Sequence, residues 1–196
     1  SARLDRLEPS ERAVVERASI EGKVFHRGAV AELAPTEVRN DVGSHLQSLV
    51  RKELLRPDQA AFVGDDAFRF RHLLIRDAAY EAMPKELRAE LHERFTSWLE
   101  RVAGDRVLEY EEILGFHLEQ AYRYRLELAP PDDAARDVGA RAAERLGSAG
   151  ERALSRSDIS AAVSLLDRAL DLLPRENRRP KLLCDLGLAL SERGEF

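Results

Sequence analysis

Small residues recur at helical spacing in the last third of the chain, and the pattern is written twice. Leu146, Ala149, Gly150 and Ala153 fall on one face of one predicted helix, and Ala162, Leu166 and Ala169 on one face of the next. Leu183, Leu186, Gly187 and Leu190 then restart the first set 37 positions on, from 146 to 183. Small side chains let two helix backbones cross closely while the large ones between them interlock, so the pattern specifies stacked helix pairs.

That order of small and large positions resembles a tetratricopeptide repeat, whose period is about 34 residues. The charged loop around Arg175 to Pro180 accommodates the surplus. In such an array the first-helix positions Glu144, Gly147, Glu151, Leu154 and Ser155 would face a concave groove. The two glutamates there suit a basic partner or a solvated face equally. An array of this kind needs about three repeats, so an end inside the second predicts a piece of a longer chain, as does a start without methionine.

Composition narrows the setting. Of 196 residues 34% are charged, and no apolar run approaches the eighteen or so needed to span a bilayer. The N-terminus lacks the basic-then-apolar layout of a signal peptide, which predicts a soluble cytoplasmic protein. The lone Cys184 excludes an internal disulfide and a cysteine-based zinc site, and among leucines it reads as a small buried hydrophobe. Net charge is -5, with 13 Lys+Arg against 14 Asp+Glu over residues 1–83 and 18 against 22 over 84–196, so neither part has the basic excess of a strong phosphate-backbone binder.

Upstream of the repeat the chain reads as mainly α, with one interval of another kind. Pro9 opens a helix carrying Val14, Val15, Ala18 and Ile20, which ends at Glu21-Gly22-Lys23. A second runs from Arg27 to Leu33 and stops before Pro35; a third, capped by Thr36, carries Val38, Val42, Leu46, Leu49 and Val50. From Leu54 the period changes: Leu54-Leu55-Arg56-Pro57, then Ala61-Phe62-Val63, a Gly64-Asp65-Asp66 turn and the alternating Phe68-Arg69-Phe70-Arg71 predict a small β-hairpin. Three helices and a hairpin are the order of a winged helix-turn-helix. Helical periodicity then returns, with Leu87, Leu91, Phe95, Trp98 and Val102 on one face, and Tyr110, Ile113, Leu114, Leu118 and Ala121 on another. The expected organisation is a winged-helix domain over 1–83, a helical connector over 84–130 and the start of a repeat array over 131–196.

Catalytic signatures are absent from this sequence. Arg17 stands where the leading glycine of a phosphate loop would be relative to Gly22-Lys23, and Thr96 stands at the second ligand position of a zincin helix at His92-Glu93. The five histidines are each about twenty or more positions apart, which leaves no local metal pair. Glu111-Glu112 and Asp132-Asp133 read as solvated charges, and His117 and Trp98 as core residues. The expectation is a non-enzyme with no metal and no cofactor of its own. Were the third helix to read DNA, Arg39, Asn40, Gln47 and Arg51 would make the contacts, but Glu37 and Asp41 beside them favour a protein-protein role.

His72 stands at the junction between the alternating strand and the next helix, where a phosphate-facing position and a simple cap are both open readings. The stretch Arg71-His72-Leu73-Leu74-Ile75-Arg76-Asp77-Ala78-Ala79 resembles the methionine-histidine-aspartate segment of the STAND signalling ATPases. Glu112 to Ala121 and Ala142-Ala143-Glu144-Arg145 are similar to the arm of bacterial members. The resemblance implies a regulatory arm that closes on an ATPase module, with His72 sensing the ADP or ATP phosphate and the repeats binding a protein or peptide. Arg71 and Leu73 depart from the family's methionine and aspartate. It also implies a parent chain that carries a nucleotidyl cyclase or transcription-regulator domain. The alternative is a DNA-binding winged-helix regulator.

Overall fold

A computed structural model describes residues 4–174 and 179–194. The chain is mainly helical with one small antiparallel sheet, and it divides into two compact units, Ser1–Val102 and Ala103–Phe196.

In the first unit a short 3₁₀ turn, Leu4–Arg6, precedes α1 (Pro9–Glu21), β1 (Val24–His26), α2 (Arg27–Leu33), α3 (Thr36–Arg39), α4 (Val42–Arg51), β2 (Leu55–Asp58), β3 (Ala67–Phe70), α5 (Leu73–Glu81) and α6 (Lys85–Ala103). Pro9 occupies the first turn of α1, where its missing N–H costs nothing, and the Glu8 amide donates to Glu11 Oε2 at 3.2 Å. Gly22, at φ 143, ends the helix in a conformation that L side chains rarely adopt.

The expected hairpin is corrected and extended: β3 pairs with Leu55–Asp58, Ala61-Phe62-Val63 lies in the β2–β3 connection and is not a strand, and β1 adds a third strand. The order is β1-β3-β2, with Phe25 opposite Phe68 and Leu55 opposite Phe70. β1 spans three residues, too few for alternation to register in a sequence, and its strand character comes from pairing alone. Phe25 and Phe70, with ring centroids 5.2 Å apart, meet the buried Val30, Leu46 and Leu49 in the core.

The predicted third helix is also two helices. Asp41 leaves the helical region at φ -102, ψ 5; its amide bonds the Val38 carbonyl and its carbonyl accepts the His45 amide, each at 3.0 Å. An Asn-Asp pair favours such a cap over a helix interior. The buried Glu11 ties α1 to the end of α4, accepting from Ser48 Oγ at 2.8 Å and Lys52 Nζ at 2.6 Å. Burial alone would raise its carboxyl, but the Lys52 and Ser48 bonds outweigh it and hold the group below the usual carboxylate range. In α6 the buried face carries Leu91, Phe95, Trp98 and Leu99, whereas Val102, expected on it, is exposed.

The second unit contains a 3₁₀ turn, Gly104–Tyr110, followed by α7 (Glu111–Leu128), α8 (Asp133–Ser155), α9 (Ile159–Asp171) and α10 (Pro180–Arg193). Asp132 and Asp158 cap α8 and α9, accepting the Ala135 amide at 2.7 Å and the Ala161 amide at 3.2 Å. Small residues stand at the crossings: a Cβ on Gly115 would lie 2.7 Å from Leu146 Cγ, and one on Gly150 would lie 2.8 Å from Leu166 Cγ. Of the loop expected at Arg175 to Pro180, residues 175–178 lie outside the described residues.

Several expectations on these helices are corrected. Ile113 is exposed, and the inward face of α7 is Leu114, Leu118 and Ala121 with the core histidine His117. Cys184 is exposed because it sits two positions, about 200° of helical rotation, from the inward Leu182. Glu111 is buried, held by Arg152 and by Arg145 at 3.5 Å, while Glu112 is solvated as expected.

Glu119 is deeper still, 2% exposed, and joins Arg168 of α9 to Arg123 of its own helix. Glu119→Ala is expected to destabilise the second unit by about 2 kcal/mol, below the figure for a fully buried pair because both arginines reach solvent. Urea unfolding followed by far-UV circular dichroism checks this, and an unchanged midpoint would count against the pairing.

Candidate functional site

The second unit carries an open groove of about 250 Å³ between α8 and α10. The crossing pattern makes it: Gly147 leaves the floor low, and a Cβ there would come within 2.8 Å of Leu182 Cδ2. Ala140 and Ala143 continue the floor, with Glu144, Ser148 and Glu151 on the α8 rim. Arg179 and Lys181 form the opposite rim. Lys181 Nζ bonds Glu151 Oε2 at 2.5 Å, and that carboxylate holds the ammonium above the usual lysine range.

Of the five groove positions read from the sequence, Glu144, Gly147 and Glu151 line this space, whereas Leu154 and Ser155 lie beyond it. Leu154 packs at the edge of the core and Ser155 Oγ donates to the Arg152 carbonyl at 2.9 Å. Lys181 was missed, although the repeat register carried the signal. It stands 37 positions after Glu144, at the same place in the repeat. A volume of this size is below that of most drug-sized pockets, so it suits one or two side chains of an extended segment better than a free cofactor.

In the first unit, His72 is exposed and extended (φ -133, ψ 131) immediately before α5. Its carbonyl accepts the Ile75 amide at 3.1 Å, but its imidazole does not cap the helix. Leu73 and Leu74 beside it are 50% and 80% exposed, so the junction presents an imidazole next to an apolar step. The four residues named for DNA contact are all exposed: Arg39 ends α3, Asn40 follows it, and Gln47 and Arg51 lie along α4. Arg39 also donates to the Glu32 carbonyl at 3.4 Å.

Two further histidines sit in buried polar settings. His92 is 1% exposed and shares a 2.8 Å hydrogen bond with the Tyr80 hydroxyl. The guanidinium groups of Arg76 and Arg88 lie 5.1 and 4.9 Å from the Tyr80 ring centroid. Burial, reinforced by those two cations, pushes His92 down to about 3. His26 is buried between Glu21 and the β2–β3 connection.

Among the described residues no group of three or more His, Cys, Asp or Glu side chains is placed to hold a metal ion, and no helix is long and apolar enough to cross a membrane. No family model matches the chain, and neither a curated protein nor a solved structure does.

Proposed function

We propose that the chain is the non-catalytic regulatory arm of a STAND-type signalling ATPase, joining a winged-helix region to the start of a tetratricopeptide-like array. Nucleotide, ADP or ATP, would belong to an ATPase module elsewhere in the same cytoplasmic polypeptide. The observation that carries the partner-binding half is the groove in which Glu144 and Glu151 on one rim and Arg179 and Lys181 on the other flank a floor of Gly147, Ala140 and Ala143, with Lys181 paired to Glu151. A rim acidic on one side and basic on the other suits a peptide bearing both signs of charge. The winged-helix half is supported by helical segments followed by the β2–β3 hairpin. His72 supports the switch, because an exposed imidazole beside Leu73 and Leu74 has both the polar and the apolar surface that a closing module would cover.

The test is on the natural full-length polypeptide: denature it, identify released nucleotide by chromatography, and compare His72→Ala. ADP that copurifies and falls at least about tenfold in the variant is the expected result, corresponding to loss of a charge-assisted phosphate contact. ADP that is unaffected removes His72 from the phosphate, and no nucleotide in either protein sinks the ATPase reading.

The exposure of Gln47 and Arg51 along α4 favours a second reading, DNA binding. Duplex binding with a steep salt slope that Arg39→Ala and Arg51→Ala reduce would select it.

A further inference from the structure

His26, 6% exposed, stands where α1, β1 and the β2–β3 connection meet. Its Nδ1 lies 2.6 Å from Glu21 Oε1, and the other Glu21 oxygen accepts the His26 amide at 2.8 Å. On the far side of the ring the Ala61 amide donates to Nε2 at 3.1 Å. Together the two contacts fix the tautomer. Nδ1 carries the proton that Glu21 accepts, and Nε2 must present a lone pair to Ala61. Phe62 follows, tilted against the imidazole with ring centroids 4.8 Å apart and meeting Trp98 of α6 edge-on at 5.5 Å.

The same connection is anchored differently at its other end. Both oxygens of Asp65 accept the Gly28 amide at 3.1 Å. The Arg27 amide donates to the Asp66 carbonyl at 2.8 Å, and the Arg27 guanidinium pairs with the Asp66 carboxylate at 3.1 Å. Gly64, at φ 82, separates the two anchors and gives the chain a pivot that L side chains rarely adopt.

We propose that His26 is a proton-operated latch for residues 59–63: a proton on Nε2 turns the acceptor into a donor facing the Ala61 donor, and the segment detaches while the Asp65 anchor holds. The charges around the ring favour that proton. Glu21 and Asp65 both face it; Arg27 is turned to Asp66, Asp58 on the same sheet face is tied to Arg69, and from α6 Arg94 and Arg101 are held by Glu32. Burial alone would keep the imidazole neutral, but the Glu21 bond and the Glu21 and Asp65 carboxylates outweigh it, so the ring takes up a proton readily once Nε2 is free of the Ala61 amide. The sign follows from linkage. The attached segment leaves Nε2 no room for a proton and the detached one does, so detachment is favoured as pH falls, by up to about tenfold per unit. Detachment withdraws Phe62 from the edge-on contact with Trp98.

Amide hydrogen exchange on the 196-residue chain tests the latch, with rates corrected for intrinsic pH dependence and read at Ala61 and Gly28. The expected result is a fall of at least about tenfold in Ala61 protection between about pH 7.5 and 5.5, with Gly28 unchanged. His26→Gln, which can still accept from Ala61, should abolish the response, and Glu21→Gln should move its midpoint to lower pH. Ala61 protection that stays flat, falls equally in His26→Gln, or falls together with Gly28 overturns the proposal; so does a midpoint indifferent to Glu21→Gln.

Discussion

Leu146→Ala will destabilise the second unit by about 3 kcal/mol, and Gly115→Ala will behave differently in its presence than in its absence. Leu146 is fully buried at the crossing of α7 and α8. A Cβ on Gly115 would meet its Cγ at 2.7 Å, its Cδ2 at 2.8 Å and its backbone nitrogen at 3.1 Å. In the native protein Gly115→Ala gains about 1 kcal/mol of helix propensity but must force the helices apart, at about 1–3 kcal/mol, so the net change is a loss. Once Leu146 is truncated, the two closest carbons are gone and only the backbone contact remains. The penalty on Gly115→Ala should then shrink or reverse, and the double variant should be more stable than the sum of the singles predicts by about 1–2 kcal/mol. Urea unfolding must be followed by far-UV circular dichroism, because the single tryptophan, Trp98, belongs to the first unit. Strict additivity would show that the two residues do not share the crossing.

The neighbouring crossing, Gly150 of α8 against Leu166 of α9, was legible in the sequence because small-versus-large spacing is a local property of a helix, whereas Gly115 on α7 went unread. What the sequence hid was contact between distant residues. β1 has three residues and exists through its register with Ala67–Arg69, which no window centred on Val24 contains. Glu111 and Glu119 carry the same charge as the solvated Glu112, and the burial of Glu119 is compensated by Arg123 one turn on and by Arg168, which arrives from 49 positions away. The groove was read in part: Glu144, Gly147 and Glu151 follow from helical phase, whereas Lys181 needs the repeat register to place it opposite them. Cys184 and Ile113 failed for one reason, since leucine-rich neighbours raise the apparent apolarity of a whole turn and the inward face takes only part of it.

Acidification will weaken the first unit through His92, and the effect is separable from every other titration in it. The ring is buried, paired with Tyr80 and flanked by two arginines, so the native state holds it near 3 while the unfolded chain returns it to about 6.5. Between those values the unfolded state binds a proton that the native state refuses, and stability falls with pH by up to about 1.4 kcal/mol per unit. From about pH 6.5 to 4.5 the loss comes to about 2.3 kcal/mol. Glu11 acts lower: its native carboxyl sits below the usual range, so its stabilisation is present above the ordinary carboxylate value and is lost only as pH falls through the depressed one. His26 acts with the opposite sign: the raised value belongs to the folded unit once Nε2 is released from Ala61, and the proton that Glu21 and Asp65 then favour contributes stability below the unfolded value that is lost as pH rises through the native one. The difference between the native chain and His92→Gln cancels both of these. Glutamine keeps a hydrogen-bonding partner for the Tyr80 hydroxyl and cannot take up a proton in this range. Urea midpoints read by Trp98 fluorescence should therefore converge as pH falls from about 6.5 to 4.5, the native chain losing its advantage over the variant. Parallel pH profiles for the two proteins would mean that the imidazole is protonated in the fold, and the Tyr80 bond would then have to run from the ring to the hydroxyl oxygen.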